Sequence, residues 1–409
     1  MSRGSIADYG PTGGMNPPRV AMVTFSTRPR GGAVHALHLA ESLFAKGQPV
    51  HVFALGNPDE GFFRETSVPH AVYRAPEASA SLEEKVALSV QVLTDHLATT
   101  VPGRFDIIHA QDCIAARAAC QMRAAAPGLR VVRTVHHLDD FSTPALIECQ
   151  HRSILEPDHV LVVSRYWRRI LQELYGIDAT VVTNGVDGDR FHRPSGFDSG
   201  ALRARVGSTH RPMFLTVGGI DPRKGSLELV EAMARVKLEL VPPPVLVLVG
   251  GHSFRDHSAY RELVLQRAQE LGLVEGKDFI NVGTVSDQEL PGWYHAADAF
   301  VFPSVKEGWG LAVLEALAAG LPVLATDIEV FREYLSDDTA LLVPPGDAEK
   351  LASALVRLAT DANLRETLAR SGPQVAARFT WDACADRHIA IYETVVEASA
   401  APSALEAKL

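Results

Sequence analysis

Short apolar runs, each followed by a longer stretch with apolar residues at helical spacing, alternate along nearly the whole chain. The first series predicts strands at Arg19–Phe25, Val50–Leu55, Phe105–His109, Val131–Val135 and His159–Val163. Helices are expected between them at Val34–Lys46, Leu82–Ala98, Ala115–Ala125, Pro144–Leu155 and Tyr166–Tyr175. Gly56–Ala80, with its prolines and glycines, reads as the long loop of this half. Thr183–Gly200 breaks the alternation with Gly, Asp, Arg and Pro, the composition of a linker between domains. A second series follows: Met213–Val217, Leu227–Val236, Val245–Val249, Tyr260–Leu271, Phe279–Val282 and Asp287–Ala296. It continues through the strand Asp298–Phe302, the helix Leu311–Ala319 and the strand starting at Pro322, with helices over Asp347–Arg370 and Trp381–Glu397. Strand and helix in alternation specify parallel sheets covered on both faces, and the break between the series specifies two successive α/β domains.

The most informative segment joins Asp298–Phe302 to the helix at Leu311. The connecting Lys306-Glu307-Gly308-Trp309-Gly310 leaves backbone N–H groups approachable where a helix begins, a place suited to phosphate. Glu307 lies in that loop. Glu315 follows on the helix among Val313, Leu314, Ala316 and Leu317, where an unpaired carboxylate is costly. A nucleotide diphosphate-sugar needs acceptors for hydroxyls at both ends and donors for the diphosphate between, and this unit carries both. The bland alternative for Glu315 alone is a glutamate on the solvent side of an ordinary helix.

A second loop, Gly218-Gly219-Ile220-Asp221-Pro222-Arg223-Lys224-Gly225, leaves the carboxyl end of a strand, where open parallel sheets bind ligands. Arg223 and Lys224 are candidates to neutralise a diphosphate; the alternative is a surface turn with two solvated cations. The order Lys-Gly-Ser inverts that of a Walker loop. Gly31-Gly32 follows the first strand without dinucleotide-fingerprint spacing, and fits a loop approached by donor or acceptor or else a plain turn. His136 ends Val131–Val135 at another carboxyl end, either facing a ligand or serving as a satisfied strand-end residue.

Glu307 and Glu315 together resemble the Glu-x7-Glu motif of retaining glycosyltransferases of family 4, which have the GT-B architecture. Gly31–His35, Asp106–His109, Thr134–His136, Val163-Ser164, Asn184–Asp187, Lys224-Gly225, Asp298–Ser304, Thr380–Asp382 and Tyr392 follow in that family's order. The resemblance implies two Rossmann-like domains with parallel sheets facing a central cleft. It implies an acceptor-side domain over residues 19–185, a nucleotide-sugar domain over 186–376, and a closing helix in 377–409 that returns to the first domain. Catalysis would fall to Glu307, Lys224, His136 and Arg223. Donor binding would fall to Gly32, Gly218, Gly219, Gly308, Trp309, Gly310, Leu311 and Glu315. The family's usual arginine after the first glycine of the second loop is replaced here by Gly219. The implied reaction is retaining, front-face transfer of a hexosyl-type group from a nucleotide diphosphate-sugar co-substrate, with no cofactor and no metal. The acceptor is left open, a small molecule or glycan being favoured over lipid. A nucleotide-sugar epimerase of the same architecture, with Asp139 and Asp140 as acid and base, and a silent binding module are the alternatives.

Composition narrows the partners. A net charge of −10 argues against nucleic acid. Four cysteines without paired spacing, Cys113, Cys120, Cys149 and Cys384, predict reduced thiols. No apolar run is long enough for a transmembrane helix, and residues 1–18 lack a signal-peptide centre, so a flexible leader and a cytoplasmic protein are expected. The basic run Ser164–Arg169 is read as a solvated helix face rather than a membrane contact. Asp187-Gly188-Asp189, the one Asp-x-Asp spacing considered as a metal pair, is read as a turn.

Overall fold

The computed structural model describes residues 17–76, 81–123, 125–251 and 257–400. The leader expected over residues 1–18 therefore lies, up to residue 16, outside the described residues. The chain forms two compact units, Met1–Asn184 with Trp381–Leu409, and Gly185–Thr380.

Among the described residues the first unit carries seven strands: β1 (Val20–Thr24), β2 (Val50–Gly56), β3 (His70–Arg74), β4 (Ile107–Ala110), β5 (Arg130–Val135), β6 (His159–Val162) and β7 (Thr180–Val181). They pair in the order β3-β2-β1-β4-β5-β6-β7, every pair parallel. The connecting helices are α1 (Gly31–Ala45), α2 (Leu82–Thr100), α3 (Cys113–Arg123), α4 (Pro144–Leu155) and α5 (Arg165–Tyr175). β1 is buried throughout, because helices cover both faces of the sheet and no position can be left polar without cost. Ser81 and Ser164 cap α2 and α5 by accepting the backbone N–H of Glu84 and Trp167.

The second unit repeats the plan. Its strands are β8 (Met213–Val217), β9 (Val245–Val249), β10 (Phe279–Gly283), β11 (Ala299–Phe302), β12 (Val323–Thr326) and β13 (Leu341–Val343), in the parallel order β10-β9-β8-β11-β12-β13. Its helices are α6 (Gly188–Phe191), α7 (Gly200–Arg205), α8 (Ser226–Glu239), α9 (Ser258–Glu270), α10 (Leu290–Ala296), α11 (Leu311–Ala318), α12 (Glu329–Arg332), α13 (Ala348–Thr360) and α14 (Ala362–Ala376). The last helix, α15 (Trp381–Ala400), belongs to the first unit and packs on α1. His38 stacks on Trp381 at 5.3 Å, Ser42 Oγ donates to Asp382 at 2.7 Å, and Lys46 pairs with Asp386 at 2.8 Å.

Several boundaries differ from the expectation. Gly56–Ala80 is not one long loop: β3 runs through it as an edge strand, and residues 77–80 lie outside the described residues. An edge strand is apolar only in part, so its pattern is weak. The supposed linker Thr183–Gly200 crosses units only at Asn184-Gly185, and then forms α6 within the second unit. The second crossing, at Thr380-Trp381, is tied to the first segment by a bond from Val186 N to Phe379 O. Residues 377–380 accordingly lie in the second unit rather than with the closing helix. Gly31 and Gly32 are the first residues of α1, not a loop before it.

Candidate active site

In each sheet two neighbouring strands lead their chains in opposite directions: β1 and β4 in the first unit, β8 and β11 in the second. Just beyond the carboxyl ends of such a pair, the following loops diverge and leave room for a ligand.

In the second unit the loops after β8 and β11 are locked together. Val305 N donates to Arg223 O at 2.8 Å, and Lys224 Nζ donates to Glu307 Oε1 at 2.5 Å. The ammonium also stands 4.5 Å from the centre of the Phe302 ring. Both charges are largely shielded from water, with side chains 20% and 10% exposed, so neither can lose its partner cheaply. Arg223 is held differently: its guanidinium lies 3.3 Å from Asp221 Oδ2, and its backbone N–H donates to Asp221 Oδ1. Burial works to raise the Asp221 carboxyl, but Arg223, His257 and Lys224 outweigh it and hold the group below its ordinary value.

Gly219 adopts φ 73°, and a Cβ there would collide with the carbonyl oxygen of Gly251. The position has no room for a side chain on this backbone, so the arginine that the resemblance would place there does not fit. Gly218 borders the Lys224 side chain, its nearest neighbour being Cε.

α11 starts directly after the Glu307 loop. Gly310 takes φ 90°, and a Cβ there would come within 2.7 Å of Phe331 and 3.1 Å of the Tyr334 hydroxyl. This sharp entry puts the N–H groups of the first turn, from Leu311 onward, at the carboxyl edge of the sheet beside Gly308 and Glu307. Trp309 behaves differently from the other residues of its loop. Its indole is buried at 4.9 Å from the Tyr334 ring and 5.3 Å from the Phe379 ring, and Tyr334 donates to its carbonyl. Trp309 therefore shapes the loop from behind; its side chain is not presented to a ligand.

Glu315 keeps part of its surface open although protein crowds its carboxyl. Burial is the main influence and pushes its pKa up, against the hydrogen bond from Tyr294 Oη at 2.7 Å and the charge of Arg190. Arg190 is itself held by Asp287, at 2.8 Å to both the carboxylate and the backbone carbonyl. Neither Tyr294 nor Arg190 was visible as a site residue in the sequence, because Tyr294 reads as part of the apolar face of α10. Asp187 caps α6 by accepting the Arg190 N–H at 3.0 Å, so the first aspartate of Asp187-Gly188-Asp189 has a turn-forming role.

In the first unit His136 Nε2 lies 3.1 Å from Gln111 Oε1, so this nitrogen carries the proton and donates. Gly32 is its neighbour: a Cβ at Gly32 would sit 3.8 Å from the His136 ring, ordinary contact distance. The structure thus brings Gly32 and His136 together. Gln111 and Asp112, which follow β4, are the residues that the sequence reading missed. The Asp112 carboxylate accepts the N–H of Phe25 at 2.7 Å and of Ala115 at 2.8 Å, tying the loops after β1 and β4. His35 and His109 are buried: His35 Nδ1 meets Asn184, and His109 bridges Tyr392 and Thr134 at 2.7 Å each. Burial first, reinforced by the neighbouring imidazoles and, for His109 and His136, by Arg133, holds His35, His109 and His136 well below the ordinary histidine value, so all three are neutral near pH 7. Among Ser164–Arg169, Arg168 and Arg169 are exposed and paired with Asp178 and Glu173.

Two doubly wound parallel sheets that share the order of six strands, with a cation, a carboxylate and a helix N-terminus at the second switch point, define a glycosyltransferase of GT-B architecture. The chain belongs to glycosyltransferase family 4: residues 29–190 match the family described as Glycosyltransferase Family 4, and residues 199–375 match Glycosyl transferases group 1. It is 31% identical over 380 residues to a phosphatidyl-myo-inositol mannosyltransferase of Mycobacterium leprae, covering 90% of this chain and 94% of the relative. It is 30% identical over 418 residues to a D-inositol 3-phosphate glycosyltransferase of Stackebrandtia nassauensis, covering 93% and 92%. Among solved structures, sucrose-phosphate synthase from Thermosynechococcus elongatus aligns with a TM-score of 0.77 at 25% identity, over 93% of this chain and 100% of that one. Among the described residues no helix is long and apolar enough to cross a membrane.

Proposed function

We propose that this glycosyltransferase takes its sugar from a nucleoside diphosphate-sugar and transfers it with retention, without a divalent metal. The observation that carries the reading is the Lys224–Glu307 pair, set at the β8/β11 switch point beside the N-terminus of α11. In the reaction the bond from the anomeric carbon to the diphosphate oxygen breaks, and its electron pair leaves on the diphosphate. Lys224 and the first-turn N–H groups at Gly310 and Leu311 stabilise that growing charge, and they do so without reorganising. Glu307 accepts hydrogen bonds from sugar hydroxyls, and Glu315, oriented by Tyr294, accepts from the ribose. The acceptor oxygen attacks on the face that the diphosphate leaves, and the acceptor proton passes to the departing phosphate oxygen. No separate catalytic base is needed. Arg223 contributes at longer range, since Asp221 already holds its guanidinium. His136, neutral and donating to Gln111, belongs to the sugar or acceptor side.

The names of both relatives contain an inositol unit, so inositol phosphates are the first acceptors to try. The test begins with thermal shifts over a panel of nucleoside diphosphate-sugars, where a ligand at 100 times its Kd adds about 2.7 kcal/mol. With the stabilising donor, product formation is followed by NMR before and after exhaustive EDTA treatment. An α-linked donor giving an α-linked product at undiminished rate is expected. Inversion at the anomeric carbon, or activity lost to EDTA and restored by magnesium or manganese, overturns the reading.

A further inference from the structure

The second unit carries a cavity that the proposed transfer does not use. It measures ≈ 330 Å³ and lies at the amino edge of the sheet, where Ala297 and Asp298 lead into β11 and Leu321 and Pro322 lead into β12. These strands and β8 run parallel, so Lys224 and Glu307 stand beyond the opposite edge. Two cations from different elements line the cavity. Arg193, exposed after α6, has its guanidinium 5.7 Å from the centre of the Phe197 ring and makes no ion pair among the described residues. Arg365, in the first turns of α14, donates from Nη1 to the carbonyls of Leu358 and Ala359 at 2.7 and 3.1 Å, which leaves the donors on Nε and Nη2 for a ligand. Ala362, Arg365, Glu366 and Ala369 front the cavity at helical spacing. The Ala362 N–H, at the start of that helix, has no intrahelical acceptor, because Asp361 caps Leu364 instead. The carboxylates on the cavity are already engaged. Asp298 Oδ2 accepts from Arg203 at 2.9 Å and from the Met213 N–H at 2.7 Å, and Glu366 pairs with Arg370 at 3.2 Å. An anion entering here meets a surplus of positive charge. His295, in the same wall, is 6% exposed, and neither of its ring nitrogens has a hydrogen-bond partner. The His192 carbonyl lies near the ring without completing a bond. A buried imidazole left in this way is costly unless a ligand completes it.

We propose that this cavity is an effector site for a sugar or cyclitol monophosphate. Its phosphate lies among Arg193, Arg365 and the start of α14, and its hydroxyls bond His295 and the second carboxylate oxygen of Asp298. Cations from two elements and a helix start offer more donors than a carboxylate can accept, which favours a phosphate. The volume is at the small end for ligand sites and suits a monosaccharide rather than a nucleotide. Burial first, then Arg193, hold the His295 imidazole below its ordinary value. It therefore meets the hydroxyls neutral, with one nitrogen to donate and one to accept.

Tyr294 joins the cavity to the donor side. It forms part of the cavity wall, while its hydroxyl donates to Glu315 at 2.7 Å. α11 makes a second link, with Ala319 and Gly320 of its carboxyl end in the cavity wall and Leu311 at the active-site end. A ligand packed against Tyr294 holds the hydroxyl on Glu315 and tightens donor binding. This coupling rests on the proposed ribose role of Glu315; binding in the cavity does not.

The experiment titrates mannose 6-phosphate into the full-length chain by calorimetry and by proton–nitrogen NMR of the histidine rings, with His295→Gln to assign the His295 signals. A Kd below about 1 mM is expected, with the His295 ring signals moving on binding. Arg193→Ala should weaken binding at least about tenfold, the scale of one charge-assisted hydrogen bond, and leave transfer without the ligand unchanged. Mannose alone and inorganic phosphate alone should each bind at least about tenfold more weakly than the phosphorylated sugar, since each fills half of the site. Nucleoside diphosphate should not displace the ligand. With mannose 6-phosphate saturating, the Kd of the nucleoside diphosphate-sugar should fall about fivefold, and the donor should tighten mannose 6-phosphate by the same factor. No binding at about 10 mM, unmoved His295 signals, or displacement by nucleoside diphosphate overturns the site. Full affinity in Arg193→Ala does the same. Inorganic phosphate binding as tightly as mannose 6-phosphate overturns the hydroxyl half of the assignment. An unchanged or raised donor Kd beside intact binding overturns the coupling through Tyr294. A chain that binds no nucleoside diphosphate-sugar at all overturns the proposed function, and the wild-type titration still decides the cavity.

Discussion

Lys224 and Glu307 stand 83 positions apart in the chain, and their ion pair is the residue-scale centre of the proposed chemistry. Glu307→Gln keeps the shape but removes the charge, and Lys224→Ala removes the cation beside a buried carboxylate. Each should lower kcat by about 10²-fold or more, the scale of one preorganised electrostatic contact. Thermal melts separate the two effects, because Lys224→Ala should also lower Tm while Glu307→Gln should do so far less. Near-normal turnover in both variants with a verified donor would remove the site assignment. Tyr294→Phe withdraws the 2.7 Å bond to Glu315 and should raise the donor KM about tenfold while sparing kcat, since ribose recognition is shared by ground and transition states. Initial rates against donor concentration check the split. Gly219→Arg should destabilise the chain by about 1–3 kcal/mol. Its Cβ meets the Gly251 carbonyl at a left-handed φ, and urea melts would reveal the loss.

At the scale of elements, α15 is the piece whose place was least legible from sequence. Its periodicity marks a helix, but its partners lie far back along the chain: His38 and Ser42 on α1, Lys46 just after it, and His109 on β4. The Tyr392 hydroxyl and His109 satisfy each other in full burial. Tyr392→Phe should therefore cost about 1–3 kcal/mol, the penalty of leaving a buried imidazole nitrogen unpaired. For a unit of the first unit's size that corresponds to roughly 2–4 °C of Tm per kcal/mol, measurable by calorimetry. An unchanged Tm would mean that water replaces the hydroxyl. The edge strands β3 and β13 escaped the sequence reading for a related reason. Each has one neighbour in its sheet and is only partly buried, so the continuous apolar run that marks a central strand is missing.

At the scale of the whole molecule, buried neutral histidines make stability depend on pH. Burial holds His51 and His388 at about 4, against an ordinary value near 6.5, and His35 and His109 also lie well below it. The unfolded chain therefore binds more protons between these limits, so stability rises with pH there. The contribution is full above about pH 6.5 and is lost as pH falls towards 4, at up to about 3 kcal/mol per histidine. Urea midpoints measured from pH 7 down to 4.5 should drop steadily. In His51→Leu the slope should be shallower by about one proton, because both nitrogens of that ring lack partners and lie against Phe53. A flat profile in the wild type would contradict the neutral burial of these groups.

Much of this protein was set by local pattern. Central strands such as β8 and β9 were legible with their ends, because burial on both faces demands an unbroken apolar run. Glu307 and Glu315 were legible because loop, helix start and carboxylate spacing all lie within one short segment. Other features needed the fold. Trp309 looked like part of a ligand loop, and only packing against Tyr334 and Phe379 turned it inward. Tyr294 and Gln111 gain their partners from distant strands and helices, which no local periodicity encodes. Sequence determined which segments become strands and helices, since that depends on neighbours along the chain. Tertiary structure alone decided which side chains meet, because such contacts depend on strand order and on the crossings that bring remote loops to one edge of a sheet.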